Sequence, residues 1–361
     1  MDEVDPAAAR KGRGAISNAT GRFEAEQRAA FDDGWGSADA EPRRLDTTYT
    51  RDTTRTIIAR NDSPDIPFDR SINPYRGCEH GCVYCFARPT HAYLGLSPGL
   101  DFESRIFVKP DAPHLLRAEL AKPSYACAPI ALGTNTDPYQ PIERKLGITR
   151  GILEVLREHR HPVTIVTKSA LVQRDIDILS QMAQQRLAMV AVSLTTLDRR
   201  LARAMEPRAA TPERRLETME ALARAGIPVS VMTAPMIPAL NDSELERLLE
   251  AAAARGARFA GYVLLRLPLE LVSLFEEWLA AHEPRRAKHV MSLIRQARDG
   301  KAYRAEWGTR MSGTGAYAEL LRIRFRAACR RLGLNKSRDA WGLDTTQFRR
   351  PPQKGDQLAL F

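Results

Sequence analysis

The chain reads as an α/β protein: a partial (β/α)6 barrel set between an N-terminal arm and a basic, mainly helical C-terminal extension. Two observations predict this. Short apolar runs rich in β-branched residues alternate with amphipathic helical patterns from Ser71 to about Glu283, the signature of βαβ units and a parallel sheet. On either side of that stretch the composition turns polar or strongly basic. With 361 residues, 43% of them hydrophobic, the chain can bury one large core and still carry extensions.

Taken in order, residues 1–66 are polar, charge-mixed and short of aliphatic periodicity, which predicts an arm laid over a domain and partly disordered at its start. Residues 67–283 form the barrel. Its expected strands are a short one just before Cys78, then Ala128 to Gly133, Val163 to Lys168, Leu187 to Leu194, Val229 to Ala234 and Phe259 to Leu265. The clearest helix has an Asn241-Asp242-Ser243 cap, apolar Leu245, Leu248, Leu249, Ala252 and Ala253 on one face, and a stop at Gly256. Residues 284–350 are the helical extension, and 351–361 a tail. From Glu283 to Lys354 there are eighteen Lys and Arg against six Asp and Glu, a larger surplus than the net +10 of the whole chain. Trp307, Tyr317, Phe325, Trp341 and Phe348 are interleaved with that charge, a composition suited to phosphate contact and base stacking.

Some classes are excluded. No apolar h-region follows Met1-Asp2-Glu3, and no run approaches the roughly eighteen apolar residues of a membrane span. Five cysteines, three of them within eight residues, do not make a disulfide framework, so a reducing, cytoplasmic setting is expected. Those three are Cys78, Cys82 and Cys85, in the run Gly77-Cys78-Glu79-His80-Gly81-Cys82-Val83-Tyr84-Cys85. Three thiolates from one loop are one too few to saturate a tetrahedral zinc or a cubane cluster, so a vacant coordination position is implied. A zinc site completed by His80 or His91, or three unrelated core thiols, are the competing readings. In parallel sheets reactive groups gather at the C-terminal ends of strands, where this loop is expected to lie.

The C-x3-C-x2-C spacing, with Tyr84 directly before the last cysteine, resembles the radical S-adenosylmethionine (SAM) superfamily. The resemblance implies a [4Fe-4S] cluster on three irons of which Cys78, Cys82 and Cys85 sit, the fourth iron chelating SAM, and reductive cleavage to methionine and a 5′-deoxyadenosyl radical. It also implies an electron donor such as flavodoxin or ferredoxin. Strand-end motifs over roughly Ser71 to Ala281 are similar to those of the spore photoproduct lyase group, which reverses a thymine photoproduct in DNA. Val166-Thr167-Lys168 matches a motif whose lysine binds the SAM carboxylate, and an ammonium suits that anion. Ser193 matches a SAM-contacting serine, with Glu206-Pro207 following at the family's distance. Ala234-Pro235 matches an Ala-Pro lying against the cofactor, and Thr136-Asp137 a Ser-Asp pair near the SAM amino group and ribose. Tyr84, Thr136, Asp137, Lys168, Ser193 and Ala234 are thus the expected cofactor contacts. One departure matters: the hydrogen-donating cysteine of that group is replaced by Thr134, whose O–H bond is too strong for the role. Cys127, expected at the far end of the second strand, and Cys329, on an amphipathic helix, read as core thiols.

The last residues, Gln357-Leu358-Ala359-Leu360-Phe361, resemble the Q-L-x-L-F peptide by which bacterial repair proteins bind the DNA sliding clamp. Leu358, Leu360 and Phe361 would enter an apolar groove while Gln357 bonds at its edge. The reading is therefore a cytoplasmic radical SAM enzyme acting on DNA, without membrane attachment. Modification of RNA or of a protein is the first alternative, and a non-catalytic clamp-associated DNA-binding metalloprotein the second.

Overall fold

The computed structural model of the protein describes residues 10–28, 45–336 and 342–350. Its main sheet is seven-stranded, in the order β10-β9-β8-β7-β6-β3-β2. The strands are β2 (Ile58–Arg60), β3 (Arg70–Ile72), β6 (Ile130–Leu132), β7 (Val163–Thr167), β8 (Ala188–Ser193), β9 (Val229–Met236) and β10 (Phe259–Leu264). From β3 to β10 all neighbours are parallel, with Arg70 opposite Ile130, Ile130 opposite Val163 and Val163 opposite Ala188. Only β2 runs antiparallel, along the edge of β3. A small second sheet joins β1 (Thr48–Arg51), β5 (Arg105–Val108) and β4 (Tyr75–Arg76).

The five later strands lie where the apolar runs put them, with ends shifted by at most two residues. The first does not. Tyr75–Arg76, directly before Cys78, pairs with β5 in the small sheet, and the strand that opens the barrel is Arg70–Ile72. A three-residue strand carries too little pattern to be told from its neighbour two residues on.

Helices cover the sheet: α1 (Leu100–Ser104), α2 (Ala112–Ala121), α3 (Glu143–Leu146), α4 (Ile148–Glu158), α5 (Ile176–Gln184), α6 (Arg199–Met205), α7 (Pro212–Arg224) and α8 (Leu245–Ala254). β8, between β9 and β7, is buried along its whole length, as an interior strand covered on both faces must be. In α8, Leu245, Leu248, Leu249 and Ala252 face the core, and the helix stops before Gly256 at φ +88°. Its expected cap is corrected: Asn241 is buried and makes no cap bond. Its carbonyl accepts from Ile237 N–H at 2.6 Å, while its amide donates to the carbonyls of Thr195 at 2.7 Å and Pro235 at 3.0 Å, pinning two strand-end loops together.

The C-terminal region adds α9 (Leu271–His282), α10 (Ala287–Gln296) and α11 (Gly315–Leu332). Leu321, Ala328 and Cys329 of α11 share the barrel's core. Residues 342–350 then run across the N-terminal end of the sheet. Asp344 N–H donates to Arg186 C=O at 2.9 Å, Arg349 N–H to His159 C=O at 2.9 Å, and the Arg350 guanidinium to Lys122 C=O at 3.0 Å. Among the described residues no helix is long and apolar enough to cross a membrane.

Candidate cluster and cofactor site

The cysteine loop is a succession of tight turns over the C-terminal ends of the strands. Gly77 and Gly81 adopt φ +78° and +65°, and at Gly77 a side chain would also meet Ile106, Phe102 and His91 within about 3.0 Å. Cys78 N–H donates to Phe102 C=O at 2.9 Å, Cys85 N–H to Cys82 C=O at 3.2 Å, and Val83 N–H to Met205 C=O at 3.0 Å. Cys78 and Cys82 are buried and Cys85 half-buried. Burial pushes the Cys78 thiol well above its ordinary value. It takes Cys82 to about 12, with the nearby Lys168 ammonium pulling the other way. Such thiols stay protonated until a cation displaces the proton, as metal-binding thiols do.

Arg88 holds the loop from beneath. Its side chain is wholly buried, and all five N–H donors are used: Nε to Cys82 C=O at 2.8 Å, Nη1 to Pro98 and Gly99 C=O at 3.0 and 2.9 Å, Nη2 to Gly81 C=O at 3.2 Å and to the Glu103 carboxylate. Glu103 is as buried, and its oxygens also accept Gly14 N–H at 2.9 Å and Ala15 N–H at 2.8 Å. The arm is therefore wedged onto the loop. A Cβ added at Gly14 would lie 1.8 Å from the carbonyl oxygen of Gly81. Sequence reading missed this contact because Gly12-Arg13-Gly14 looks like flexible chain when its partner is some ninety residues away.

The histidines of the zinc alternative have other partners. His80 Nδ1 lies 3.3 Å from Asp137, and His91 Nε2 bonds Arg105 C=O at 3.0 Å with its ring edge-on to Phe102. Burial holds His91 down at about 4. Among the described residues no three His, Cys, Asp or Glu side chains converge to hold a single ion. A cubane asks something different of three thiols, since each binds its own iron. The three cysteines on one loop, with no fourth donor committed, fit such a cluster with one iron left for another ligand.

The expected cofactor residues divide into two groups. Tyr84, Lys168 and Ser193 come together beside Cys82. The Lys168 ammonium lies over the Tyr84 ring, 5.7 Å from its centre, and Ser193 ends β8 in a buried position. Tyr84 donates its hydroxyl to Glu206, which also accepts from Thr195 at 2.9 Å and pairs with Arg215. Arg215 donates to Ser193 C=O at 3.2 Å, so the buried Glu206–Arg215 pair ties the loop to the strand end. Burial raises the Glu206 carboxyl, and Arg215 draws it back.

Thr136 and Asp137 face inward. The Thr136 hydroxyl donates to Tyr75 C=O at 3.0 Å. Asp137 accepts from the Thr167 hydroxyl at 2.8 Å, Tyr139 N–H at 2.9 Å and Lys168 N–H at 2.7 Å, besides His80. Burial works to raise its carboxyl, but His80 and these donors hold it at about 2. Asp137 is thus a permanent anion that positions the Lys168 backbone. Ala234 lies two residues before the end of β9, next to the Pro235 carbonyl that Asn241 holds. Thr134 receives a bond from Asn73 at 3.3 Å. Cys127 sits at the other end of the sheet, near Arg70 and before β6, half-buried rather than in the core. Cys329 is buried, as expected. Gln357, Leu358, Leu360 and Phe361 lie outside the described residues.

A cysteine triplet at the C-terminal mouth of an open parallel barrel, with a lysine and a serine beside it, defines a class of enzyme. Residues 72–252 match the family model described as the radical SAM superfamily, half of the chain, and the chain belongs to that superfamily. It is 41% identical over 233 residues to an uncharacterised protein of Mycobacterium tuberculosis, covering 64% of this chain and 68% of that one. An uncharacterised protein of Methanocaldococcus jannaschii is 30% identical over 173 residues, 48% and 62% of the two chains. Among solved structures, a cysteine-to-serine variant of spore photoproduct lyase gives a TM-score of 0.61 at 16% identity, covering 87% of each chain. A variant of the same lyase with bound AdoMet and dinucleoside spore photoproduct gives 0.58 at 15%, covering 79% and 80%. At these identities the likeness is one of fold.

Proposed function

We propose that the chain uses a [4Fe-4S] cluster on Cys78, Cys82 and Cys85 to act on DNA, as a lesion-repairing or modifying enzyme. The observation that carries the proposal is the loop itself: three thiols at the strand ends, no fourth donor beside them among the described residues, and the Lys168 ammonium over Tyr84 and near Cys82. When bound, the cluster would supply the one electron that cleaves SAM to methionine and a 5′-deoxyadenosyl radical able to abstract a hydrogen atom. The protein's part is to hold, orient and shield. Lys168 offers its ammonium to the SAM carboxylate, and Asp137 keeps that lysine's backbone in place. Ser193 and Ala234, at the ends of β8 and β9, and Thr136 form the walls of the cofactor pocket. The Arg88–Glu103 pair and the Gly14 wedge seal the loop from below.

DNA as the substrate class is supported by the charge surplus beyond Glu283 and by the fold shared with a lyase whose structure holds a dinucleoside photoproduct. Recruitment to DNA falls to the tail peptide and its clamp partner, electrons to a flavodoxin or ferredoxin, and the five free cysteines suit the cytoplasm. Thr134 cannot return a hydrogen atom, so the reaction ends differently from that of the lyase. Mass spectrometry of ultraviolet-damaged DNA and of bulk RNA, each incubated with reduced enzyme and SAM, tests the substrate. SAM-dependent change confined to DNA is the expected result, and change confined to RNA would reject it.

A further inference from the structure

We propose that the rim of the barrel mouth beside the cysteine loop is a ledge that binds unpaired nucleobases, formed by Phe86, Arg266, Arg22, Phe23 and Tyr93. The inference rests on the nucleic-acid reading and extends it to a site.

Phe86 follows Cys85 directly, and the residue is 42% exposed. The Arg266 guanidinium, just beyond the end of β10, lies over the ring at 5.0 Å from its centre. Arg266 is poorly satisfied for a cation. Its bonds go to the Met311 sulfur and the Tyr303 hydroxyl, both at 3.4 Å, and its buried Nε has no partner among the described residues. The nearby Asp65 carboxylate is taken by Arg310 and by Gly308 N–H. A guanidinium held by a thioether and a phenol retains donors for a phosphate oxygen.

The same rim continues through Glu270, four residues on, which pairs with Arg22 at 2.6 Å. Arg22 lies over both Phe23 and Tyr93, 5.3 and 5.8 Å from their centres, and those two rings stack on each other at 5.3 Å. Tyr93 is 71% exposed and Phe23 56%. Rings of this size ordinarily supply core burial, and here they stand in water as a stacked pair beside an arginine. Aromatic faces alternating with guanidinium groups are what a single strand needs, because every base has a π face and every linkage a phosphate. A base still paired in a duplex presents no free face, so the ledge accepts bases that have left the stack.

The test is fluorescence-anisotropy titration of the anaerobically reconstituted full chain with a labelled oligothymidylate and with a matched duplex. Expected is preference for the single strand. Tyr93→Ala, Phe23→Ala and Phe86→Leu should each weaken that binding on the order of tenfold without changing its salt slope, and Phe86→Trp should restore it. Arg266→Gln should lower the log–log salt slope by about one. Unfolding temperatures within the wild-type range establish that the variants are folded. Tight binding of the oligonucleotide by wild type and by all four loss variants alike would overturn the ledge and leave the nucleic-acid reading standing. No oligonucleotide binding by wild type at low salt would overturn both.

Discussion

Arg88 and Gly14 define the site as much as the cysteines do. Replacing Arg88 with Met leaves Glu103 buried without its cation and takes a donor from each of four carbonyls, which should cost about 3–5 kcal/mol in denaturant unfolding. A loss under 1 kcal/mol would mean that water enters and the pair is dispensable. Gly14→Ala drives a methyl into the Gly81 carbonyl, so the loop or the arm must move. The expected result is a folded protein with reduced iron content after reconstitution; wild-type iron would show that the wedge has slack. Lys168→Ala should keep its iron and weaken SAM binding by about 2–4 kcal/mol in equilibrium dialysis, since only the cation facing the cofactor is lost. Unchanged affinity would remove Lys168 from the cofactor site. The cysteines stood out by their spacing, and the lysine and the serine only through their resemblance to strand-end motifs of the lyase group. Arg88, Glu103 and Arg215 were not, because an isolated charged residue reads as surface until its partner is placed beside it.

Among the elements, strands inside longer apolar runs, such as β8 and the three-residue β6, were legible, and β3 and β2, which have no such run around them, were not. The strap of residues 342–350 was also hidden, since its partners are carbonyls before β7 and β8 and leave no mark on local pattern. Phe348 packs there against Tyr125, His159 and His161. His161 Nδ1 donates to the Pro162 carbonyl at 3.0 Å, and with the buried ring neutral Nε2 accepts the Tyr125 hydroxyl at 2.8 Å. Burial depresses His161 to about 4, against roughly 6.5 in an unfolded chain. Between those values the unfolded state binds more protons, so this contribution is complete above about pH 6.5 and is lost as pH falls towards 4, up to about 3 kcal/mol. Chemical unfolding of wild type and His161→Gln at pH 7 and pH 5 should show the smaller pH dependence in the variant; equal dependence would mean that the strap opens before the ring titrates. The charge surplus of the extension is partly internal. Arg324, Arg331 and Arg310 pair with Glu246, Glu250 and Asp65. Arg326 and Arg330 have no carboxylate partner among the described residues, so changing both to Gln should lower the salt slope of DNA binding by about two. An unchanged slope would assign the phosphate contacts to another face.

At the scale of the whole molecule the fold has two working ends. The cysteine loop occupies the C-terminal end of the sheet, and Arg350, the last described residue before the eleven-residue tail, is anchored at the N-terminal end. A synthetic peptide ending in Gln357 to Phe361 should bind the bacterial sliding clamp at roughly micromolar strength, and lose binding when Leu360 and Phe361 are both Ala. Calorimetry without heat, and no competition with a clamp peptide, would remove the clamp from the account. The central claim is the cluster and its chemistry, and one measurement addresses it directly: iron and 5′-deoxyadenosine determined together on anaerobically reconstituted protein given dithionite and SAM. About four irons per chain and deoxyadenosine formation are predicted, with product abolished by Cys78→Ala, Cys82→Ala or Cys85→Ala and retained by Cys127→Ala at the far end of the sheet. Stoichiometric zinc without deoxyadenosine would contradict it.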